Sequence, residues 1–327
     1  MPRAVLCIEL GPPERLRFEE LQPAPLAAGE ARIRLHACGI NFPDTLTILG
    51  KYQHRPNLPF IPGVESAGII TELAAESGAW RIGDRVITRQ RVGGYAEEIV
   101  LPVEQLVPLP QSFSFAEGAS FLVAAQTAYH ALVQRAALAA GETLLVHGAA
   151  GGVGLAAVEL GKHLGARVIA TASSEEKRAA AHARGADEVI DYTAEDFVER
   201  VRRSTDGAGA DVIFDPVGGE VLVQSLRAVA WNGRILVVGF AGGTIPALAA
   251  NRILLKSCSV IGVRAGEMAR REPALAQTAT TALLALAEQG LLRPHISATL
   301  PLARFADGMR RLMDRQAIGR VVLLPDA

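Results

Sequence analysis

Cysteine is scarce in this chain: only Cys7, Cys38 and Cys258 occur in 327 residues, far apart along the sequence. So thin a set makes neither a disulfide framework nor a clustered metal site, and the simplest expectation is a cytosolic protein. No sign of charge is in excess either, because 33 lysines and arginines face 34 acidic residues for a formal net charge of −1. With no long basic run, nothing points to a nucleic-acid surface. Long apolar runs are missing as well. The opening nine residues, Met1 to Glu9, lack the apolar core of a signal peptide. The stretch 235–250 is apolar but short for a bilayer and is broken by Gly242, Gly243 and Pro246, so it reads as strand, loop and helix start. There is no internal repeat and no low-complexity linker.

What is present suits a two-domain enzyme. Half of the residues are apolar, ample for two cores in a chain of this length. Before residue 110 or so the pattern is short strands and turns, at 4–8, 31–37, 66–73, 84–87 and 95–100. From 124 to about 263 strands alternate with helical stretches, the strands at 143–147, 167–171, 188–191, 211–215, 234–238 and 259–263. Six such strands predict an α/β fold with a doubly wound parallel six-stranded sheet beside a smaller β-rich lobe. Helices at 273–289 and 304–315 and a strand at 320–324 follow. The expected division is therefore 1–123, 124–265, and a segment 266–327 that returns to the first lobe, with 264–272 as a solvated connection.

The run Gly148-Ala-Ala-Gly-Gly-Val-Gly154 lies between the apolar strand 143–147 and a helical pattern at 153–164. A strand, a glycine turn and a helix are what hold a dinucleotide pyrophosphate, because main-chain N–H groups and the positive helix end face the anion without a Cβ in the way. Gly151, Gly152 and Val153 are the expected donors. About 20 residues past the turn such folds read the ribose, and an acidic residue there would repel a 2′-phosphate. Here the chain offers Thr171-Ala-Ser-Ser174 and then Lys177, with no carboxylate at the strand tip. Ser173 and Lys177 therefore favour the phosphorylated cofactor, NADP. The plainer alternative is that Ser173 caps the next helix with Glu176 as its partner while Lys177 is a solvated surface charge.

Further motifs stand in a fixed order: Asn41-Phe-Pro-Asp44, Gly50-Lys-Tyr52, Leu58-Pro-Phe-Ile-Pro-Gly-Val-Glu65 and Gly83-Asp-Arg-Val86 ahead of the glycine turn, with Gln126-Thr-Ala-Tyr129, Asp215-Pro-Val-Gly218, Gly239-Phe240 and Gly319-Arg-Val-Val-Leu323 around and after it. Together they resemble the zinc-free quinone oxidoreductase branch of the medium-chain dehydrogenase/reductase superfamily, over nearly the whole chain. The resemblance implies a GroES-like catalytic domain joined to a Rossmann domain, and pairing of two copies through the strand at 259–263. Zinc alcohol dehydrogenases of the superfamily carry a cysteine where this chain has Asn41 and a histidine where it has Val64, and neither replacement is a zinc ligand. No metal is therefore expected.

Without a metal to polarise an alkoxide, the acceptor must take a hydride easily, as quinones and α,β-unsaturated carbonyls do. The leading expectation is an NADPH-dependent reductase of quinones. Reduction of enones or enoyl thioesters is the alternative, although a coenzyme A substrate needs basic side chains for its phosphates and the first lobe shows no obvious cluster. A third reading is an NADPH-binding protein with little turnover. By resemblance the candidate catalytic residues are Tyr52 as hydrogen-bond or proton donor, Asn41 near the nicotinamide, and Asp44, which the helix starting there also suits as a cap. Thr127, Val217, Gly239 and Phe240 correspond to places along the nicotinamide and its sugar, and Tyr192 to one beside the adenosine phosphate. His147, at the end of a strand, reads as a satisfied buried histidine.

Overall fold

The computed structural model describes residues 1–76 and 78–325. Fifteen strands are found among them: β1 Arg3–Leu6, β2 Arg17–Glu20, β3 Glu30–Gly39, β4 Glu65–Leu73, β5 Arg85–Arg89, β6 Glu98–Pro102, β7 Leu106–Pro108, β8 Thr143–Val146, β9 Arg167–Ala172, β10 Glu188–Asp191, β11 Ala210–Asp215, β12 Val229–Val237, β13 Ser259–Gly262, β14 Ile296–Pro301 and β15 Arg320–Leu324. The chain divides into two compact units, Met1–Val123 with Pro294–Ala327, and Ala124–Arg293.

The first unit is built on a sheet of order β14-β15-β3-β4-β5-β7, with β6 pairing β3 and a separate β1-β2 ribbon. In β3 every second side chain from Ala31 to Ala37 is fully buried, so period-two alternation places one face of the strand on the core. One end of this sheet gathers four strand termini. Glu65 at the start of β4 pairs with Arg89 at the end of β5, and Gly39 at the end of β3 pairs with Val322 of β15. The chain leaves β3 there and enters a short helix, Phe42–Ile48, with Asn41 as its extended N-cap residue.

The second unit is a parallel sheet of order β10-β9-β8-β11-β12-β13, the doubly wound order with its reversal between β8 and β11. β8 and β11 are buried almost throughout, as strands covered on both faces must be. The stretch 235–250 resolves into the end of β12, a loop and the start of the helix Ala250–Lys256, as its glycines and proline require.

Two expectations are corrected. The return to the first unit begins at Pro294 and not at 266. The helix Pro273–Glu288 stays with the nucleotide unit because Thr280 Oγ1 accepts from Gln126 Nε2 at 2.7 Å while Ala279, Leu283 and Ala287 are buried. Residues 265–271 are not a loose connection but a helix, anchored by buried Met268, with Glu267 bonded to Arg270 and Arg271.

Candidate functional site

In the nucleotide unit, the glycine turn and the strand-end loops meet at the carboxyl ends of β8, β11 and β12. Gly148 takes a φ of +56°, and a Cβ on Gly154 would lie 2.4 Å from the Gly148 carbonyl oxygen, so this turn closes only with glycine at both places. The helix Gly152–His163 starts directly after it, with Gly151 as an N-cap that offers no side chain to the first N–H groups. Those donors have no partner inside the helix, which leaves Gly152 and Val153 facing whatever anion occupies the turn. A Cβ on Gly148 would come within 3.2 Å of Val217 Cγ2, which puts Val217 against the turn. Asp215 fixes that loop by accepting from Val217 N at 2.7 Å and Gly218 N at 3.0 Å. Ala241 N and Gly242 N donate to the carbonyls of Pro216 and Val217, so Gly239 and Phe240 belong to the same tip. Thr127 is half-buried on the helix Leu122–Tyr129.

On the other side of the turn, Ala172 and Asp191 are register partners in β9 and β10, so Ser173 and Tyr192 leave adjacent strand ends. Ser173 is half-buried, Tyr192 is exposed and Lys177 half-buried. The cap of the helix Glu175–Ala183 is Ser174, whose hydroxyl accepts from Lys177 N, and not Ser173. β9 runs one residue further than its sequence suggested, which shifts the cap by one and leaves Ser173 outside that role. The carboxylate at this end, Asp191, is engaged by Arg178 and by Thr193. His147 is held on both ring nitrogens, by Thr171 Oγ1 at 3.0 Å and Ser225 Oγ at 3.1 Å, and its burial pushes the imidazole pKa down to about 3. It is a neutral structural histidine.

In the first unit the converging strand ends enclose a polar cluster that the sequence did not reveal. Asn41 is almost fully buried, and its Nδ2 donates to the Gly39 carbonyl at 3.3 Å and to the carboxylate of Glu65. Glu65, with no exposed surface, accepts from Val123 N and Arg320 Nη2, both at 2.9 Å. Burial pushes the Glu65 carboxyl up, and Arg320, the Val123 N–H, Asn41 and Arg89 draw it back. Asp44 is the third helical residue and not the cap: its Oδ2 accepts from Asn41 N at 2.8 Å and from Tyr95 Oη at 2.7 Å. Burial raises its pKa to about 7. Tyr52 is half-buried in the irregular segment after the helix Phe42–Ile48. Tyr95, Glu65, Arg89 and Arg320 were missed as a cluster, although charged residues inside Gly63-Val64-Glu65 and opening the apolar strand β15 were a visible signal.

Lys51, Arg55 and Arg91 are exposed, and among the described residues none of them makes an ion pair. Burial and the Arg91 charge hold His54 below the ordinary histidine range, so the end of β5 and the 51–55 segment lie close together. Arg91 therefore acts on His54 from another segment, while Lys51 and Arg55 flank Tyr52 along the chain.

Among the described residues no group of three or more histidine, cysteine or acidic side chains is arranged to hold a metal ion. The amide of Asn41 and the aliphatic Val64 supply no zinc donor of the expected kind. Residues 27–111 match the alcohol dehydrogenase GroES-like domain, and 152–281 match the family described as zinc-binding dehydrogenase. The quinone oxidoreductase-like protein 2 homolog of Nematostella vectensis is 40% identical over 324 residues, covering 98% of this chain and 88% of that protein. Human quinone oxidoreductase is 33% identical over 325 residues, covering 98% and 97%. The crystal structure of Escherichia coli quinone oxidoreductase complexed with NADPH superimposes with a TM-score of 0.91 at 30% identity, covering 99% of this chain and all of that one. The chain belongs to the quinone oxidoreductase-like family of the medium-chain dehydrogenase/reductase superfamily.

Proposed function

We propose that the protein is an NADPH-dependent, zinc-independent reductase of quinones. The observation that carries this is the replacement of metal donors by an amide: Asn41 is buried and fixed by Glu65 and Gly39, so the site is organised for hydrogen bonding instead of Lewis-acid catalysis. Relatives named as quinone oxidoreductases, one of them solved with NADPH, support the same reading. The uncapped helix start fits a pyrophosphate on Gly151, Gly152 and Val153. Ser173, Lys177 and Tyr192 are proposed to hold the 2′-phosphate and adenosine, and Thr127, Val217, Gly239 and Phe240 to line the nicotinamide end.

When bound, the reduced nicotinamide supplies the hydride. A quinone accepts it at low cost because the negative charge spreads over the ring and both oxygens. Tyr52 is proposed to donate a hydrogen bond and then a proton to the acceptor oxygen, and Asn41 to hold the nicotinamide ribose or carboxamide. Asp44 acts through Asn41, since its carboxylate lies on the Asn41 N–H. The test is NADPH oxidation against a panel of quinones, 2-alkenals and enoyl thioesters, with Tyr52→Phe beside the wild type. Quinone turnover slowed about a hundredfold in the variant is expected for a lost proton donor. No oxidation of NADPH by any acceptor overturns the reading in favour of a cofactor-binding protein.

A second reading, reduction of enoyl thioesters, shares the cofactor and Tyr52, and the exposed Lys51 and Arg55 next to Tyr52 in the chain suit a phosphate-bearing acceptor. Faster turnover of an enoyl-coenzyme A than of any quinone in the same panel selects it.

We also infer that two copies pair through β13. It is the outer strand of the nucleotide sheet, and Leu254 and Leu255 on the preceding helix are 77% and 71% exposed. A single-chain mass by light scattering overturns this. All three cysteines are free and buried, which suits the cytosol; recovery in a secreted fraction would contradict that placement.

A further inference from the structure

We propose that Tyr95 and Asp44 form a buried pin that fixes the main chain of Asn41, making Tyr95 a positioning residue for the quinone reduction proposed above, on which the catalytic part of the inference rests. Asn41 stands where β3 leaves the sheet. Behind it Ile40 N is tied to the Val321 carbonyl at 3.0 Å, and its side chain is held by Gly39 and Glu65. Its own N–H is held only through Asp44 Oδ2, at 2.8 Å. Closing a helix start in this way needs one acceptor and one donor. Here the same oxygen takes a second donor, the Tyr95 hydroxyl at 2.7 Å.

That hydroxyl is not explained by packing. Tyr95 has no exposed surface, and a phenylalanine would fill the same space without burying a polar atom. The ring cannot swing aside, because a Cβ on Gly63, itself at φ +102°, would sit 2.5 Å from Tyr95 Cδ1. The main chain on either side is tied down too, Tyr95 N to the Pro62 carbonyl and Val5 N to the Tyr95 carbonyl, both at 2.9 Å. A rigid donor is therefore aimed at Asp44.

Asp44 needs it. The carboxylate is 1% exposed, and its Oδ1 has no hydrogen-bond partner among the described residues. The groups around it are Tyr95 from the segment before β6, Glu65 on β4 with Arg89 of β5 behind it, Arg320 on β15 and Cys38 on β3. Burial raises the Asp44 pKa from its ordinary 3.8 to about 7, and the Tyr95 hydroxyl is the largest influence pulling it down. Removing the phenol therefore moves Asp44 further up. The neutral acid then prevails at neutral pH, and the Asn41 N–H loses a charged acceptor. Activity falls as pH drops through the Asp44 midpoint, and that midpoint rises in Tyr95→Phe.

The experiment compares wild type, Tyr95→Phe and Asp44→Asn. Deuterium uptake of the 39–44 amides is measured without cofactor, and kcat and KM are followed against pH with NADPH and a quinone. Tyr95→Phe is expected to exchange faster at 39–44, to lose about tenfold in kcat at pH 7 with KM for NADPH unchanged, and to shift its acid limb upward, as loss of a hydrogen bond to a charged group predicts. Asp44→Asn is expected to lose the acid limb. Unchanged exchange in Tyr95→Phe overturns the pin, and faster exchange with kcat and its midpoint unchanged overturns the positioning role. Should Tyr95→Phe fail to fold, an acid limb retained in Asp44→Asn overturns the proposal. A wild type that reduces no quinone defeats the functional reading instead, which the exchange comparison does not need.

Discussion

Around Gly148 the protein prepares for an anion with main-chain N–H groups from one continuous stretch; around Asn41 it fixes an amide with side chains from five separate segments. The first arrangement is local, since Gly148 and Gly154 keep the turn open and its donors lie on the main chain of one helix start. The second is nonlocal and brittle, since Glu65 with Arg320 and Asp44 with Tyr95 are buried polar pairs in which each member depends on the other. Backbone chemistry builds the first arrangement, whereas interlocked side chains build the second.

The sharpest way to break this contrast is Arg320→Met. The Arg320 and Glu65 side chains are 7% and 0% exposed, and removing the Arg320 cation leaves the buried carboxylate with the Asn41 amide, the Val123 N–H and the Arg89 charge. Breaking one partner of a buried pair costs about 3–5 kcal/mol, so a melting point lower by on the order of 10 °C is expected in scanning calorimetry. Adding Glu65→Gln to the same chain should restore part of the loss, because the carboxylate is then no longer stranded, while Arg89 gives up its counter-charge. A melting point for Arg320→Met within a degree or two of wild type would show that the cluster is not brittle, and the comparison would fail.

The same contrast explains what the sequence disclosed. The glycine turn, the six parallel strands and β15 were legible because each carries its own local residue pattern, and 320–324 coincides with Arg320–Leu324. β2, β7 and β14 were not, since a polar four-residue ribbon, a three-residue edge and a strand that opens as Ile-Ser-Ala-Thr carry little periodic signal. The choice between Ser173 and Ser174 as cap turned on a single residue of strand length, which local pattern does not resolve. At the Asn41 cluster the individual residues were visible but their meeting was not. Tyr95 read as the first residue of a strand, while in the fold it lies ahead of β6 and reaches Asp44, 51 positions away in the chain.

The mildest test lies on the backbone-built side. Lys177 is proposed to meet the 2′-phosphate, and at the start of its own helix it is the Lys177 N–H that Ser174 accepts. Lys177→Ala therefore leaves the turn and the cap in place and puts a better helix former at the position, so thermal stability should hold. A half-buried ammonium against a phosphate is a charge-assisted contact, and its loss should weaken NADPH binding about tenfold while leaving NADH unchanged. The preference should also narrow in wild type at high salt, where such charges are screened. Fluorescence titration with both nucleotides measures it. Equal wild-type affinities for NADPH and NADH would remove Lys177 and Ser173 from the phosphate site, whereas a loss of stability in Lys177→Ala would show that side chains matter to this half of the fold as well.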